Sequence, residues 1–286
     1  MPPSAAQPPA PAQPLEAEIA ALLRSAGCVF AEDEARLLID AASTRAQLDA
    51  LAARRVAGEP LEQILGWAQF AGLRISLAPG VFVPRLRTEF LVEQALVLLA
   101  DDGGAHRSAG VAPTRPVVVL DLCCGSGALG AAVATALAAT GQRSELYAVD
   151  IHPAAVACAR ANLVAVDGQV FQGDLYDALP AHLRGRVDVL LANAPYVPTG
   201  EIRFMPPEAR LHEPLVTLDG GADGLDIQRR VAAGALQWLA PGGHLLVETS
   251  ARQAPETMAL LAGAGLLARV ATCSGKDATV VVGAAP

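Results

Sequence analysis

The sequence predicts an α/β fold: a doubly wound, mostly parallel sheet with antiparallel last strands, preceded by a small N-terminal helical domain. Three observations carry that expectation. From residue 117 onward, short apolar strands alternate with amphipathic helices, the pattern of a parallel sheet covered on both faces. The first of these strands runs through a glycine loop, Gly125-Ser126-Gly127-Ala128-Leu129-Gly130, into a helix, which makes the sheet Rossmann-like. Ahead of residue 66 the apolar residues recur at helical spacing only.

Taken in order, residues 1–14 are rich in Pro, Ala and Gln and read as a disordered tail. Residues 15–66 read as a small helical domain. One stripe holds Leu15, Ile19, Leu22 and Leu23, and a second holds Ala35, Leu38, Ile39 and Ala42. Thr44 followed by Gln47 is a capping-box signal for a third helix, which Gly58 and Pro60 end. Residues 67–100 form a β-hairpin around Gly72 and a connecting helix from residue 88, and residues 101–116 read as a loop. The sheet domain, 101–286, has strands at 117–122, 145–149, 169–171, 187–192 and 244–248, then two at 266–271 and 278–282. About six residues separate the last two, too few for a parallel crossover, so these two are antiparallel.

Composition excludes several functions. Hydrophobic residues make up 52% of the 286 and charged residues 17%, against about 25% charged in an average soluble domain, so the chain has a large core. With 21 basic and 29 acidic residues the net charge is −8, the wrong sign for holding nucleic acid by counterion release, and no direct nucleic-acid binding is expected. The cysteines, Cys28, Cys123, Cys124, Cys158 and Cys273, form no C-x-x-C pair, which fits reduced cytoplasmic thiols and no metal site. No apolar run reaches the length of a membrane span.

The glycine loop alone would fit a dinucleotide. Asp121, four positions before Gly125, argues otherwise, because a carboxylate there meets the diphosphate of such a coenzyme with like charge. It suits the ammonium and sulfonium of S-adenosylmethionine. Asp150 ends the second strand, where a carboxylate accepts from a ribose diol. Asp174 follows the third strand, within reach of an adenine amino group, with Leu175 beside it. Cys123, Cys124, Gly125, Ser126 and Gly127 complete the predicted cofactor site, and small size accounts for the two cysteines. The competing explanation is that these acids only cap turns.

The fourth strand delivers Asn193-Ala194-Pro195-Tyr196 to the same edge. An amide nitrogen is a poor nucleophile, so it must be held in line with the methyl group while its N–H bonds point into acceptors. The Asn193 side-chain oxygen and the Ala194 carbonyl are the two candidates. Pro195 biases residue 194 toward extended geometry, and Tyr196 offers a flat face to a planar group. Asn193 also borders the cofactor. Glu213 and Glu248 face the same edge without an assigned role.

On these residues the chain resembles the HemK/PrmC protein-glutamine N5-methyltransferases over about 59–283. The likeness rests on Pro60 to Gly66, Phe70 to Leu73, Pro79 to Val81, Val83-Pro84-Arg85, Asp121 to Gly127, Asp150, Asn193 to Tyr196 and the run from Glu213 to Leu225. The resemblance implies S-adenosylmethionine as cofactor and methylation of the glutamine in the Gly-Gly-Gln motif of class 1 peptide chain release factors. It also implies a helical domain that helps to grip that protein. Separately, a monomer is expected. Three departures stand out: Ala194 replaces the first proline of an Asn-Pro-Pro-Tyr signature, Arg87 replaces an acid, and Lys276-Asp277-Ala278-Thr279 stands where the family has an acidic, Arg-containing motif. Two alternatives stay open, an amino-methyltransferase acting on adenine or guanine and a non-catalytic cofactor-binding paralogue.

Overall fold

The computed structural model describes residues 13–105 and 115–286. The chain divides after Leu65 into a helical unit and a larger unit from Gly66 to Pro286. Most of the expected tail lies outside the described residues, but Gln13 and Pro14 already belong to the first helix.

The helical unit holds α1 (Gln13–Ser25), α2 (Ala31–Ala41), α3 (Arg45–Val56) and α4 (Leu61–Leu65). Its stripes converge on a core of Ile19, Leu23, Leu38, Leu48 and Ile64. Thr44 caps α3 by accepting from the Gln47 N–H at 3.2 Å, while Gln47 Oε1 reaches back to the Ser43 N–H at 2.8 Å. That return bond lands one residue earlier than a standard capping box would place it. The Arg55–Glu34 pair, 2.6 Å apart, is buried between α3 and α2, where loss of either partner would strand a charge.

In the larger unit, β1 (Trp67–Phe70) and β2 (Leu73–Ser76) form a hairpin. Its two turn residues, Ala71 and Gly72, both have positive φ, the geometry that matches strand twist. A 3-10 turn, Leu86–Thr88, precedes α5 (Glu89–Ala105), so the expected loop at 101–116 is helical at its start, and residues 106–114 lie outside the description. Then follow β3 (Val117–Leu122), α6 (Ala128–Ala139), β4 (Ser144–Asp150), α7 (Pro153–Leu163), β5 (Gln169–Gln172) and β6 (Val187–Ala192). The long segment after β6 is not plain loop: it carries 3-10 turns at Thr199–Phe204 and Leu215–Thr217 and the short α8 (Pro207–His212). The chain ends with α9 (Asp226–Trp238), β7 (Leu239–Thr249), α10 (Ala254–Gly263), β8 (Leu267–Cys273) and β9 (Ala278–Ala284). Strand β7 begins five residues earlier than the apolar pattern indicated, because Leu239 pairs with Val187 ahead of a bulge at Pro241-Gly242-Gly243.

These strands form one sheet in the order β5-β4-β3-β6-β7-β9-β8. The first five are mutually parallel, and β9 is antiparallel to both β7 and β8. Winding reverses between β3 and β6, the position where open sheets leave a crevice at their carboxyl ends. Every residue of β3 is buried: Val117 and Val119 face one apolar layer with α5 and α6, and Val118, Leu120 and Leu122 face the other with α9 and α10.

Asp121 ends up inside this core. It is 0% exposed, and its Oδ2 accepts from the Gly130 N–H at 2.9 Å, joining β3 to the first turn of α6. A Cβ on Gly130 would lie 2.9 Å from Leu146 Cδ1 and 3.2 Å from Asp121 Oδ2, which explains the third glycine of the loop. Gly130→Val should therefore cost about 1–3 kcal/mol, read as a lower denaturant midpoint at unchanged slope. Burial also raises the Asp121 carboxyl from 3.8 to about 7, so the fold holds that proton more tightly than the unfolded chain does. The resulting penalty sets in as pH climbs past 3.8 and is complete above about 7. Asp121→Asn should flatten the fall in unfolding free energy across that window relative to the parent chain.

Candidate functional site

An open cleft of about 1010 Å³ lies at the carboxyl ends of β3, β4, β5 and β6. Its walls are the loop Cys123–Ser126 after β3, Asp150 at the end of β4, Gly173, Asp174 and Leu175 after β5, and Asn193 and Pro195 after β6, with Phe70, Phe82 and Thr88 opposite. A second recess of about 380 Å³ adjoins it, lined by Arg85, Arg87, Ala194, Tyr196, Glu213 and Glu248. Asn193, Pro195, Phe82 and Thr217 belong to both, so the two spaces meet at the Asn-Ala-Pro-Tyr loop.

Asp150 organises the cleft. Its Oδ2 accepts from the Gly125 N–H and its Oδ1 from the His152 N–H, each at 2.8 Å, so one carboxylate ties the glycine loop to the start of α7. Burial raises its pKa against the pull of those bonds. Two bonds leave lone pairs on both oxygens, enough for a diol. Asp174 borders the cleft too, yet its Oδ2 is already held by Arg230 Nη2 at 2.8 Å, and Arg230 lines the same wall. Leu175 is buried at φ 51° and packs into the floor.

Two sequence-predicted contacts are displaced. Asp121 stands behind the wall rather than on it, so its carboxylate does not face a ligand directly. Gly127 also sits behind: at φ 78° it caps α6 and backs onto α7, where a Cβ would meet Ala159 and Leu163 at 3.2 Å. Both were legible as parts of the loop, but not as its structural half. Cys123 carries a feature that small size does not explain. It adopts φ 54°, a left-handed conformation that costs a non-glycine residue about 1–2 kcal/mol. Burial and the neighbouring acids, Asp150 first among them, push the Cys123 thiol far up, and burial does the same to Cys124.

The cleft fits the expected cofactor. It has a ribose-competent acid at Asp150 and open space over Gly125, where a Cβ would meet nothing within 4 Å. Beneath the loop Asp121 Oδ1 is buried with no hydrogen-bond partner among the described residues, an unmet acceptor directly behind the wall of the cleft.

At the recess, Asn193 Nδ2 donates to Thr88 Oγ1 at 3.5 Å, which leaves the Asn193 side-chain oxygen as the free acceptor. The Tyr196 hydroxyl accepts from Arg87 Nη2 at 2.8 Å and donates to Glu248 Oε1 at 3.3 Å. Burial, then the Glu248 charge, raises the Tyr196 phenol, so it stays protonated. Glu248 is raised by burial, opposed by Thr88, Arg87 and Tyr196. Arg85 forms an ion pair with the buried Glu213. Behind the loop, Gln253 Nε2 donates to the Tyr196 carbonyl at 2.9 Å, and a Cβ on Gly224 would lie 2.3 Å from that same oxygen. Asn193, Ala194, Pro195 and Tyr196 were predicted from the motif, and the glycines at 220–224 from resemblance. The Thr88, Arg87 and Glu248 contacts were not, since they join segments 52 to 109 residues apart in sequence.

Comparison with known proteins gives four findings. Residues 111–205 match the family model "Methyltransferase small domain". A release factor glutamine methyltransferase of Gloeobacter violaceus is 38% identical over 223 residues, 76% of this chain and 71% of that one. A 4-amino-L-phenylalanine/4-methylamino-L-phenylalanine methyltransferase of Streptomyces pristinaespiralis is 37% identical, over 74% of this chain and 68% of its own. Among solved structures, a T. thermophilus 16S rRNA methyltransferase, RsmC, shares the fold at TM-score 0.50 and 22% identity, covering 77% of this chain and 50% of that one. With the glycine loop, the acid at the end of β4 and the Asn-Ala-Pro-Tyr loop all at the sheet's switch point, and with that identity over most of both chains, the chain belongs to the release factor glutamine methyltransferase family.

Proposed function

We propose that this chain transfers a methyl group from S-adenosylmethionine to the side-chain amide nitrogen of a glutamine in a peptide chain release factor. The acceptor in this reading is the glutamine of the Gly-Gly-Gln motif of class 1 factors, and the helical unit, residues 15–66, helps to grip that protein. The supporting observation is the shared wall: the cleft bordered by the glycine loop and Asp150, and a smaller recess bordered by Arg87, Tyr196 and Glu248, meet at Asn193 and Pro195.

When bound, the cofactor supplies an electrophilic methyl on a sulfonium. Cys123, Cys124, Gly125 and Ser126 form the wall beside it, with Asp121 and Gly127 supporting that wall from behind. Asp150 accepts from the ribose, and Asp174 with Leu175 borders the base. Asn193 and the Ala194 carbonyl accept the two amide N–H bonds, and Pro195 and Tyr196 confine the amide plane. Holding both partners this way is worth about 7–11 kcal/mol of barrier through pre-paid orientation. Tyr196 remains a neutral phenol and serves as a wall rather than a base. In this reading the chain works in the cytoplasm as a monomer, and its net charge of −8 fits a protein that does not hold nucleic acid directly.

The test is labelled methyl transfer from S-adenosylmethionine into a purified release factor, with mass spectrometry of the Gly-Gly-Gln peptide. Methyl on that glutamine is expected. Label found only on an aryl amine such as 4-amino-phenylalanine, or only on nucleic acid, would refute the acceptor assignment. Asn193→Ala should lower turnover by about 100-fold or more, with cofactor affinity by calorimetry within about threefold of the parent. Asp150→Ala should do the reverse, weakening cofactor binding by about tenfold or more through loss of the diol acceptor and loosening of the glycine loop.

A further inference from the structure

The 3-10 turn Leu86–Thr88 touches both ends of the Asn-Ala-Pro-Tyr loop. At one end buried Thr88 accepts from Asn193. At the other, Arg87 donates to the Tyr196 hydroxyl at 2.8 Å and brings its Nε to 3.5 Å from Glu248 Oε1, the oxygen that Tyr196 also reaches. Arg87, Tyr196 and Glu248 therefore close a ring of three contacts, with the carboxylate side chain 4% exposed and the guanidinium side chain 47% exposed. An exposed ion pair alone contributes little. A charge-assisted bond to a largely covered phenol, backed by a sealed carboxylate, is a stronger restraint.

The turn is itself braced. The Thr88 N–H donates to the Arg85 carbonyl at 2.9 Å, and Arg85 is paired with Glu213. The next residue, Glu89, accepts from the Ala71 N–H and from Lys276, each at 2.8 Å. A fixed turn thus holds the last residue of the loop from outside. Inside the loop, buried Ala194 lacks the fixed φ that a proline ring would impose. Two of the three motif departures, at 87 and 194, line the same recess.

Resting on the amide-methylation reading, we infer that Arg87 is a positioning residue: by pinning the Tyr196 hydroxyl against Glu248 it stiffens the Asn-Ala-Pro-Tyr loop where Ala194 leaves it loose, and so holds the acceptor amide in line. Arg87 borders the recess and not the cofactor cleft, so it acts through the loop and not on the methyl group.

A double-mutant cycle on the full chain tests this through two independent readouts. With the release factor as acceptor, Arg87→Gln is expected to lower kcat about tenfold, with KM for S-adenosylmethionine and the unfolding midpoint unchanged. Arg87→Lys, which still donates to the phenol, recovers most of that loss. In the Ala194→Pro background the effect of Arg87→Gln shrinks to about twofold or less. Amide hydrogen exchange across residues 192–198 needs no acceptor: it quickens in Arg87→Gln and returns toward the parent rate when Ala194→Pro is added. Exchange indifferent to Arg87→Gln overturns the inference whatever the acceptor proves to be. A kcat loss that persists undiminished in the Ala194→Pro background overturns it as well. A parent chain that methylates no glutamine while exchange behaves as described overturns the acceptor reading and leaves the tether standing.

Discussion

The reversal of winding between β3 and β6 is the constraint on which the site depends. Because successive strands run outward in both directions from that line, the chain leaves the sheet repeatedly at one edge, on four strands that neighbour one another. The glycine loop, Asp150, the Asp174 segment and the Asn-Ala-Pro-Tyr loop each arrive by that route. Helices on both faces then remove water from the strands below, so the polar groups at the edge are partly desolvated before any ligand arrives.

That desolvation gives the acids unequal tasks. Asp121 is wholly inside and works on the backbone, tying β3 to α6. Asp150 is at the boundary and does two things at once, accepting from two N–H groups and facing the cleft. Asp174 is outermost and already engaged by Arg230. At the recess the sorting runs the other way: Glu213 and Glu248 lie deep, and their arginine partners sit nearer the rim. The recess therefore presents donors outward and keeps its anions beneath, an arrangement suited to receiving an amide-bearing segment rather than a cation.

Much of this was legible in the sequence. The apolar runs placed β3 and β6 to the residue, since all of β3 and nearly all of β6 is buried. The Asn-Ala-Pro-Tyr loop could be read because its chemistry lies in consecutive residues. Three things could not be read. The start of β7 was hidden because a bulge interrupts its pairing. Asp121 was assigned to the ligand because its position at a strand end does not reveal how deep the strand lies. The contacts of Arg87 and Glu248 with Tyr196 were invisible because they are made in space and not along the chain. Residue 87 stood out only as a reversed charge, with no indication of what it would meet.

Two sulfhydryl groups beside a sulfonium would ordinarily be a liability, since a thiolate competes with any slow nucleophile for an activated methyl. Here Cys123 and Cys124 are kept protonated by burial and by the surrounding carboxylates. At neutral pH the anionic form is scarce, so this wall of the cleft is chemically quiet toward an alkylating agent. The same negative surroundings that suit a cationic donor thus spare the enzyme from alkylating itself.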